Sequence, residues 1–189
     1  MTEMSTQITC TPQGASGACL GSSGRSLLEN SVRVNGVGEI EVRGATRFQG
    51  YLVGDVLELD VTEDGWFGTG DRGCFDDGGN LHVEGRIDRQ FISGGENIQP
   101  ESIEQALCQL EGVLQAAVIG VEDEEFGWRP VAFVRVRGGL DEDGLKDGVR
   151  ARLPGFMVPL RILSWPEGVG EGMKWSLEEL RKAWGSVQG

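Results

Sequence analysis

Strict alternation of apolar and polar side chains through Glu39-Ile40-Glu41-Val42-Arg43 predicts a strand. Shorter runs of the same kind, at 32–34 and 56–59, predict two more beside it. Asp76-Asp77-Gly78-Gly79-Asn80 reads as a hairpin turn joining strands at 73–75 and 81–84. Residues 1–28 are polar, rich in Ser, Thr and Gly, and carry no sustained period, so they are expected to be structureless. After Asp88 the pattern changes. A short strand at 89–93 leads to Gly94-Gly95, and 100–110 reads as a helix with Pro100 at its first position and Ile103, Leu107 and Leu110 on one face. Strands follow at 113–121 and 130–136. A helix at 141–153 presents Leu145, Val149 and Leu153, although Gly144 and Gly148 weaken it. A strand at 160–165 precedes a last helix, opened by the capping box Ser176/Glu179 and carrying Leu177, Leu180 and Trp184 on one face. Strands first, then strands mixed with helices, give an α+β chain: a β-rich part over 1–88 and a compact α+β unit over 89–189.

Charge narrows the function. The 17 basic and 30 acidic residues leave −13, which repels phosphate backbones and argues against nucleic-acid binding. No apolar run approaches the roughly 18 residues of a membrane span, and the N-terminus lacks a basic-then-apolar signal pattern. Cys10, Cys19, Cys74 and Cys108 are too scattered for a zinc site or disulfide framework and read as reduced thiols of a cytoplasmic protein.

Four stretches carry candidate chemistry. Gly65-Trp66-Phe67-Gly68-Thr69-Gly70-Asp71 places a carboxylate on a glycine-flanked turn at a strand edge, where two oxygens suit a diol; the plainer alternative is a turn cap. Gly85-Arg86-Ile87-Asp88 sets a guanidinium two residues before a carboxylate. Arg86 can fork onto phosphate or ribose oxygens, or the two can form a surface pair of little worth. Ser93-Gly94-Gly95-Glu96-Asn97-Ile98 is a glycine turn whose amides can face an anion, without the Lys and Ser/Thr of a P-loop. Gly170-Glu171-Gly172-Met173-Lys174 puts a lysine on a loop before the capped helix, where most lysines are merely solvated. His82 reads as a half-exposed strand residue, and no Ser-His-Asp arrangement is assembled.

Singly these motifs are weak, but their order is specific. Gly-Glu-Ile-x-Val-x-Gly (38–44), Gly50-Tyr51, Gly-Trp-Phe-x-Thr-Gly-Asp (65–71), Gly-Arg-x-Asp (85–88), Ser-Gly-Gly-Glu-Asn-Ile (93–98) and Gly-x-Lys (172–174) together resemble the adenylate-forming, AMP-binding superfamily of acyl-CoA ligases. Met1-Thr2-Glu3 resembles the end of that family's Tyr-Gly-x-Thr-Glu motif. The stretches at 91–100 and 125–132, and Gly-Met-Lys-Trp-Ser around Lys174, most resemble its o-succinylbenzoate–CoA ligases of menaquinone biosynthesis.

The resemblance implies a β-rich remnant of the large AMP-binding domain over 1–88 and a mobile C-terminal domain over 89–189. It implies ATP, Mg²⁺ and CoA as substrates and cofactors beside a small carboxylate. It implies that Asp71 holds the ribose of ATP, Arg86 supports the nucleotide, Thr2 touches the α-phosphate, Glu3 helps hold Mg²⁺, and Lys174 bridges carboxylate and α-phosphate. Asp88 becomes a hinge, and Ser93, Gly94, Gly95, Glu96 and Asn97 line the CoA path. The phosphate loop ending in Pro-Lys and most of the acyl pocket would lie in a missing N-terminal domain, so the chain alone is expected to be inactive. The competing readings are a non-catalytic binding module and a complementing subunit.

Overall fold

The structure, a computed structural model, describes residues 1–28, 31–59, 61–170 and 175–188. The chain divides into two units, Met1–Asp88 and Arg89–Gly189.

In the first unit β1 (Thr9–Cys10) pairs antiparallel with β2 (Arg25–Ser26), and short 3-10 turns sit at Thr2–Met4 and Gly17–Gly21. Residues 1–28 are therefore structured, contrary to the expectation from their polarity. Their partners are remote: the Leu27 amide donates to the Ile8 carbonyl, and the Ser23 and Leu81 amides donate to Leu81 and Gly24 respectively, at 2.8 Å. Long-range pairing of this kind leaves no local period. Gly24, at φ +79°, lies so close to Cys10 that a Cβ would fall 2.1 Å from its carbonyl carbon, so only glycine fits.

Six further strands follow: β3 (Val32–Val34), β4 (Glu39–Val42), β5 (Tyr51–Val53), β6 (Val56–Glu58), β7 (Phe67–Phe75) and β8 (Leu81–Arg86). The main sheet of this unit runs in the order β3, β4, β7, β8, with all neighbours antiparallel, and β5 and β6 make a separate hairpin between β4 and β7. Val32, Ile40, Val42, Phe67, Leu81 and Met4 form the core on one sheet face. Trp66 is buried outside that cluster, with the Arg33 and Arg43 guanidinium carbons 4.4 and 4.5 Å from its ring.

The second unit opens with a hairpin, β9 (Phe91–Ser93) and β10 (Glu96–Ile98), then α1 (Pro100–Cys108). β11 (Val113–Asp123) and β12 (Gly127–Val136) form a long antiparallel pair. α2 (Glu142–Arg150) and β13 (Ile162–Ser164) follow, β13 joining β12 in parallel, and α3 (Leu177–Gln188) ends the described chain. Parity along the strands decides which helix covers which face. Ala116, Val118, Ala132 and Val134 turn towards α1 and α2, where Ile103, Leu107, Leu145 and Val149 are buried with them. Ala117, Ile119, Val121, Val131 and Phe133 turn the other way, onto Leu180 with Leu177 and Trp184 around it. Two apolar faces explain why 131–134 is an unbroken buried run rather than an alternating one.

Helix ends follow their capping chemistry. The Asp141 side chain accepts from the Gly144 amide at 3.0 Å, and α2 ends at Arg150, short of the predicted 153. Before α3 the capping box forms in both directions: Glu179 Oε2 accepts from the Ser176 amide at 2.8 Å, and Ser176 Oγ accepts from the Glu179 amide at 3.2 Å. Ser176→Ala is expected to cost about 1 kcal/mol by leaving that amide without its acceptor. The shift of the urea midpoint at unchanged slope measures it.

Candidate functional site

Of the stretch expected to be a turn at a strand edge, Gly65 and Trp66 belong to a turn closed by Thr62, but Phe67 to Asp71 lie in β7, a nine-residue strand between β4 and β8. Gly68 and Gly70 lie at a bulge rather than a turn. Gly68 stands opposite Glu41 and Arg72 opposite Glu39, so four steps of β7 match two steps of β4. Thr69, Gly70 and Asp71 are thrown out of the ladder with β4, and Gly70 adopts φ +71°.

Side chains take over the hydrogen bonds that the ladder loses. Thr69 Oγ1 donates to the Ile40 carbonyl at 2.8 Å and accepts from the Asp71 amide at 3.0 Å. Glu39 Oε1 accepts from the Gly70 amide at 3.0 Å, and Arg86 Nη1 donates to the Thr69 carbonyl at 3.0 Å. A side chain at Gly70 would meet the Arg86 guanidinium at 2.9 Å.

Asp71 and Arg86 are register partners across β7 and β8, with Nη1 to Oδ1 at 3.6 Å. Arg86 also grips Asp88 bidentately, Nε to Oδ1 at 3.2 Å and Nη2 to Oδ2 at 3.1 Å. Hydrogen bonding to Asp88 is the leading reason that Arg86 sits above the ordinary guanidinium pKa. Partial burial is the leading reason that the Asp71 carboxyl titrates above the usual aspartate range. Arg86 opposes that shift, while Glu3 and Asp88 add to it. Glu3 also accepts from the Tyr51 hydroxyl at 3.1 Å; burial first, then Glu3, holds that phenol above its ordinary value.

Glu3, Tyr51, Asp71, Arg86 and Asp88 are thus brought together. Thr2 is exposed in the turn that carries Glu3. Tyr51 is the chain's one tyrosine and directly follows a motif glycine, but nothing local in the sequence marks its contact with Glu3. Among the described residues no cluster of three His, Cys, Asp or Glu is placed to hold a metal. A Mg²⁺ bound mainly through phosphates needs only one or two carboxylates, which Glu3 fits.

In the second unit, Ser93 to Asn97 form the turn of the β9–β10 hairpin, with positive φ at both central glycines, as two-residue hairpin loops require. The expectation of amides open to an anion needs correction at Gly94, whose N–H donates to the Phe126 carbonyl at 2.9 Å. Ile92, Phe126 and Trp128 are exposed on the same unit. Lys174 lies outside the described residues. Next to that stretch, Trp175 packs edge-on to Trp165 at 6.0 Å, and Trp165 Nε1 donates to the Val169 carbonyl at 3.0 Å.

Residues 102–167, from α1 through β13, match the AMP-binding enzyme C-terminal domain. The chain carries the C-terminal domain of the AMP-binding enzymes. Its relatives include a 2-succinylbenzoate–CoA ligase of Listeria innocua, 40% identical over 162 residues that make up 86% of this chain and 35% of that protein. A methyl-dioxo-octahydroindenyl-propanoyl:CoA ligase of Rhodococcus jostii is also 40% identical, over 74% of this chain and 28% of its own length. Among solved structures, the Bacillus subtilis o-succinylbenzoate CoA synthetase in complex with the acyl-adenylate intermediate OSB-AMP superposes with a TM-score of 0.83 at 28% identity. That match covers 96% of this chain and 40% of that one. The chain therefore spans about a third of the length of the curated relatives it matches. No helix among the described residues is long and apolar enough to cross a membrane.

Proposed function

We propose that the chain is the C-terminal part of an ATP-dependent acid–CoA ligase, which adenylates a carboxylate and then transfers the acyl group to CoA, with o-succinylbenzoate as the acid. The observation that carries this reading is the bulged Asp71 standing opposite Arg86 with Glu3 beside it. A half-exposed carboxylate on a protruding backbone accepts from two vicinal hydroxyls of a ribose, and a guanidinium alongside supports the same nucleotide. Thr2 reaches the α-phosphate and Glu3 a phosphate-bound Mg²⁺. Lys174 bridges the acyl carboxylate and the α-phosphate, where its charge counts most as negative charge builds in the transition state. Asp88, at the boundary of the units, serves as the pivot, and the Ser93–Asn97 turn lines the approach of the CoA thiol. The choice of acid is supported by the name of the Listeria innocua relative.

A chimera tests the reading. This chain, replacing the matching segment of the Listeria innocua enzyme, is expected to release pyrophosphate from ATP with o-succinylbenzoate and Mg²⁺. A folded chimera that is inert towards this acid and its analogues counts against the proposal. The 189-residue chain alone, given ATP, Mg²⁺, o-succinylbenzoate and CoA, is expected to release none, because the groups that position both substrates must act together with Lys174. Sustained turnover by the isolated chain would reject that expectation.

A further inference from the structure

We propose that Glu39 is a positioning residue for Asp71: its carboxylate caps the Gly70 amide and holds the Thr69–Asp71 bulge in the form that presents Asp71. The inference rests on the reading of Asp71 as a ribose-binding group. The geometry is specific. Two extra residues in β7 interrupt its hydrogen bonding to β4, and a freed amide in a partly buried sheet needs an acceptor. The Gly70 amide finds one 3.0 Å away, in Glu39 Oε1. The carboxylate also fills the space beside Gly68, where a Cβ would lie 2.6 Å from Oε1, so a side chain at 68 and this cap exclude each other.

Glu39 is itself held. Its amide donates to Asn35 Oδ1 at 3.0 Å, its carbonyl accepts from the Asn35 amide at 2.9 Å, and Asn35 Nδ2 approaches Oε2 at 3.4 Å. The cap therefore belongs to a tight β3–β4 connection, and its aim does not depend on a free rotor. It acts on one side of the bulge. On the other, Arg86 holds the Thr69 carbonyl. Between these two anchors the Asp71 amide is tied to Thr69 Oγ1, which leaves the Asp71 side chain directed by the bulge. The hydrogen bond from Glu39 goes to Gly70 and not to Asp71, so its effect is transmitted through the Gly70 peptide.

Hydrogen exchange and carboxyl titration by NMR on the 189-residue chain read this directly. Glu39→Gln keeps an oxygen acceptor at the same reach. Glu39→Asp keeps the charge but shortens the reach by one methylene. In Glu39→Asp and Glu39→Ala the Gly70 amide is expected to exchange about tenfold faster or more, the scale of a lost hydrogen bond to a charged group. In both, the Asp71 carboxyl titration should fall towards the ordinary aspartate range as the bulge relaxes into water, with Arg86, Glu3 and Asp88 still beside it. Glu39→Gln, which keeps a weaker neutral acceptor in place, should release the Gly70 amide less than Glu39→Asp does, and the Val42 and Phe67 amides should stay protected throughout. Unchanged Gly70 exchange in Glu39→Asp, or release in Glu39→Gln equal to that in Glu39→Asp, overturns the proposal; the Gln–Asp contrast decides even if Glu39→Ala fails to fold. The ribose reading is judged separately, in the chimera with the Listeria innocua enzyme, by weaker use of 2′,3′-dideoxy-ATP than of ATP. Equal use of the two removes that reading and leaves the exchange result to decide the role of Glu39.

Discussion

Replacing Arg89 by methionine is expected to cost the 89–189 unit about 3–5 kcal/mol, the scale for breaking a buried ion pair from one side. Arg89 ties α1 to β11. Nη1 reaches Glu101 at 2.7 Å, while Nη2 reaches Glu104 at 2.6 Å and donates to the Val118 carbonyl at 3.1 Å. Glu104 accepts in turn from the Val118 amide at 2.8 Å, and the Trp175 ring lies 5.6 Å from the guanidinium carbon. Burial works against the charge on Arg89, but Glu104 and then Glu101 outweigh it and hold the group above its ordinary pKa. Methionine supplies similar bulk and takes the guanidinium away from the Glu101 and Glu104 carboxylates. If that removal is the cost, the double variant Arg89→Met with Glu104→Gln should recover much of the loss, because the removed pair is then closer to neutral. Exchange of the Ala132 and Val134 amides measures this unit alone, whatever the first unit does. A single variant within 1 kcal/mol of wild type, or a double variant no better than the single, would show that the ion cluster is not what holds α1 to the sheet.

None of that cluster was visible in the sequence, and the reason is distance along the chain. Arg89 meets partners 12, 15 and 29 residues away, and each is an ordinary charged or apolar residue in its own segment. What was legible depended on local period or local capping: the alternation at 39–43, the apolar stripe of α1, and the Ser176/Glu179 box. β7 shows the limit. Gly68, Gly70 and Gly73 punctuate it, and glycines at that density read as a turn, whereas their use here is to admit the Glu39 carboxylate, the Arg86 guanidinium and Ile40 against a continuous strand. Whether a glycine-rich run turns or bulges is decided by the register of the neighbouring strand, which is not written in the run itself. The same holds for Tyr51, whose contact with Glu3 joins residues 48 apart. Asp71 and Arg86 were found because their motifs resemble a known order; that they face one another across a bulge is information from the fold.

Asp71→Asn is expected to move stability and nucleotide binding in opposite directions. The Asp71 carboxyl titrates above its ordinary value, chiefly through burial, with Glu3 and Asp88 reinforcing the shift and Arg86 opposing it. A carboxyl whose pKa rises on folding contributes its full stability below the unfolded-state pKa, and that contribution is lost as pH rises through the folded-state value. At neutral pH the charged Asp71 is thus held at a small cost, screened by water because the group is half exposed. The asparagine variant keeps the shape without the charge, and Arg86 keeps Asp88. The variant should equal or exceed wild type in stability at pH 7 by up to about 1 kcal/mol. The advantage should vanish as pH falls below the ordinary aspartate range, because wild type is then protonated too. In the chimera with the Listeria innocua enzyme the same change should weaken ATP about 10- to 100-fold, since an amide replaces a charge-assisted acceptor for two hydroxyls. Urea unfolding across pH 3 to 7 and the KM for ATP provide the two readings. A variant that loses stability at neutral pH while binding ATP normally would mean that Asp71 is a structural partner of Arg86 and nothing more. Opposite signs would mean that the bulge holds a carboxylate at a cost which the ribose hydroxyls relieve.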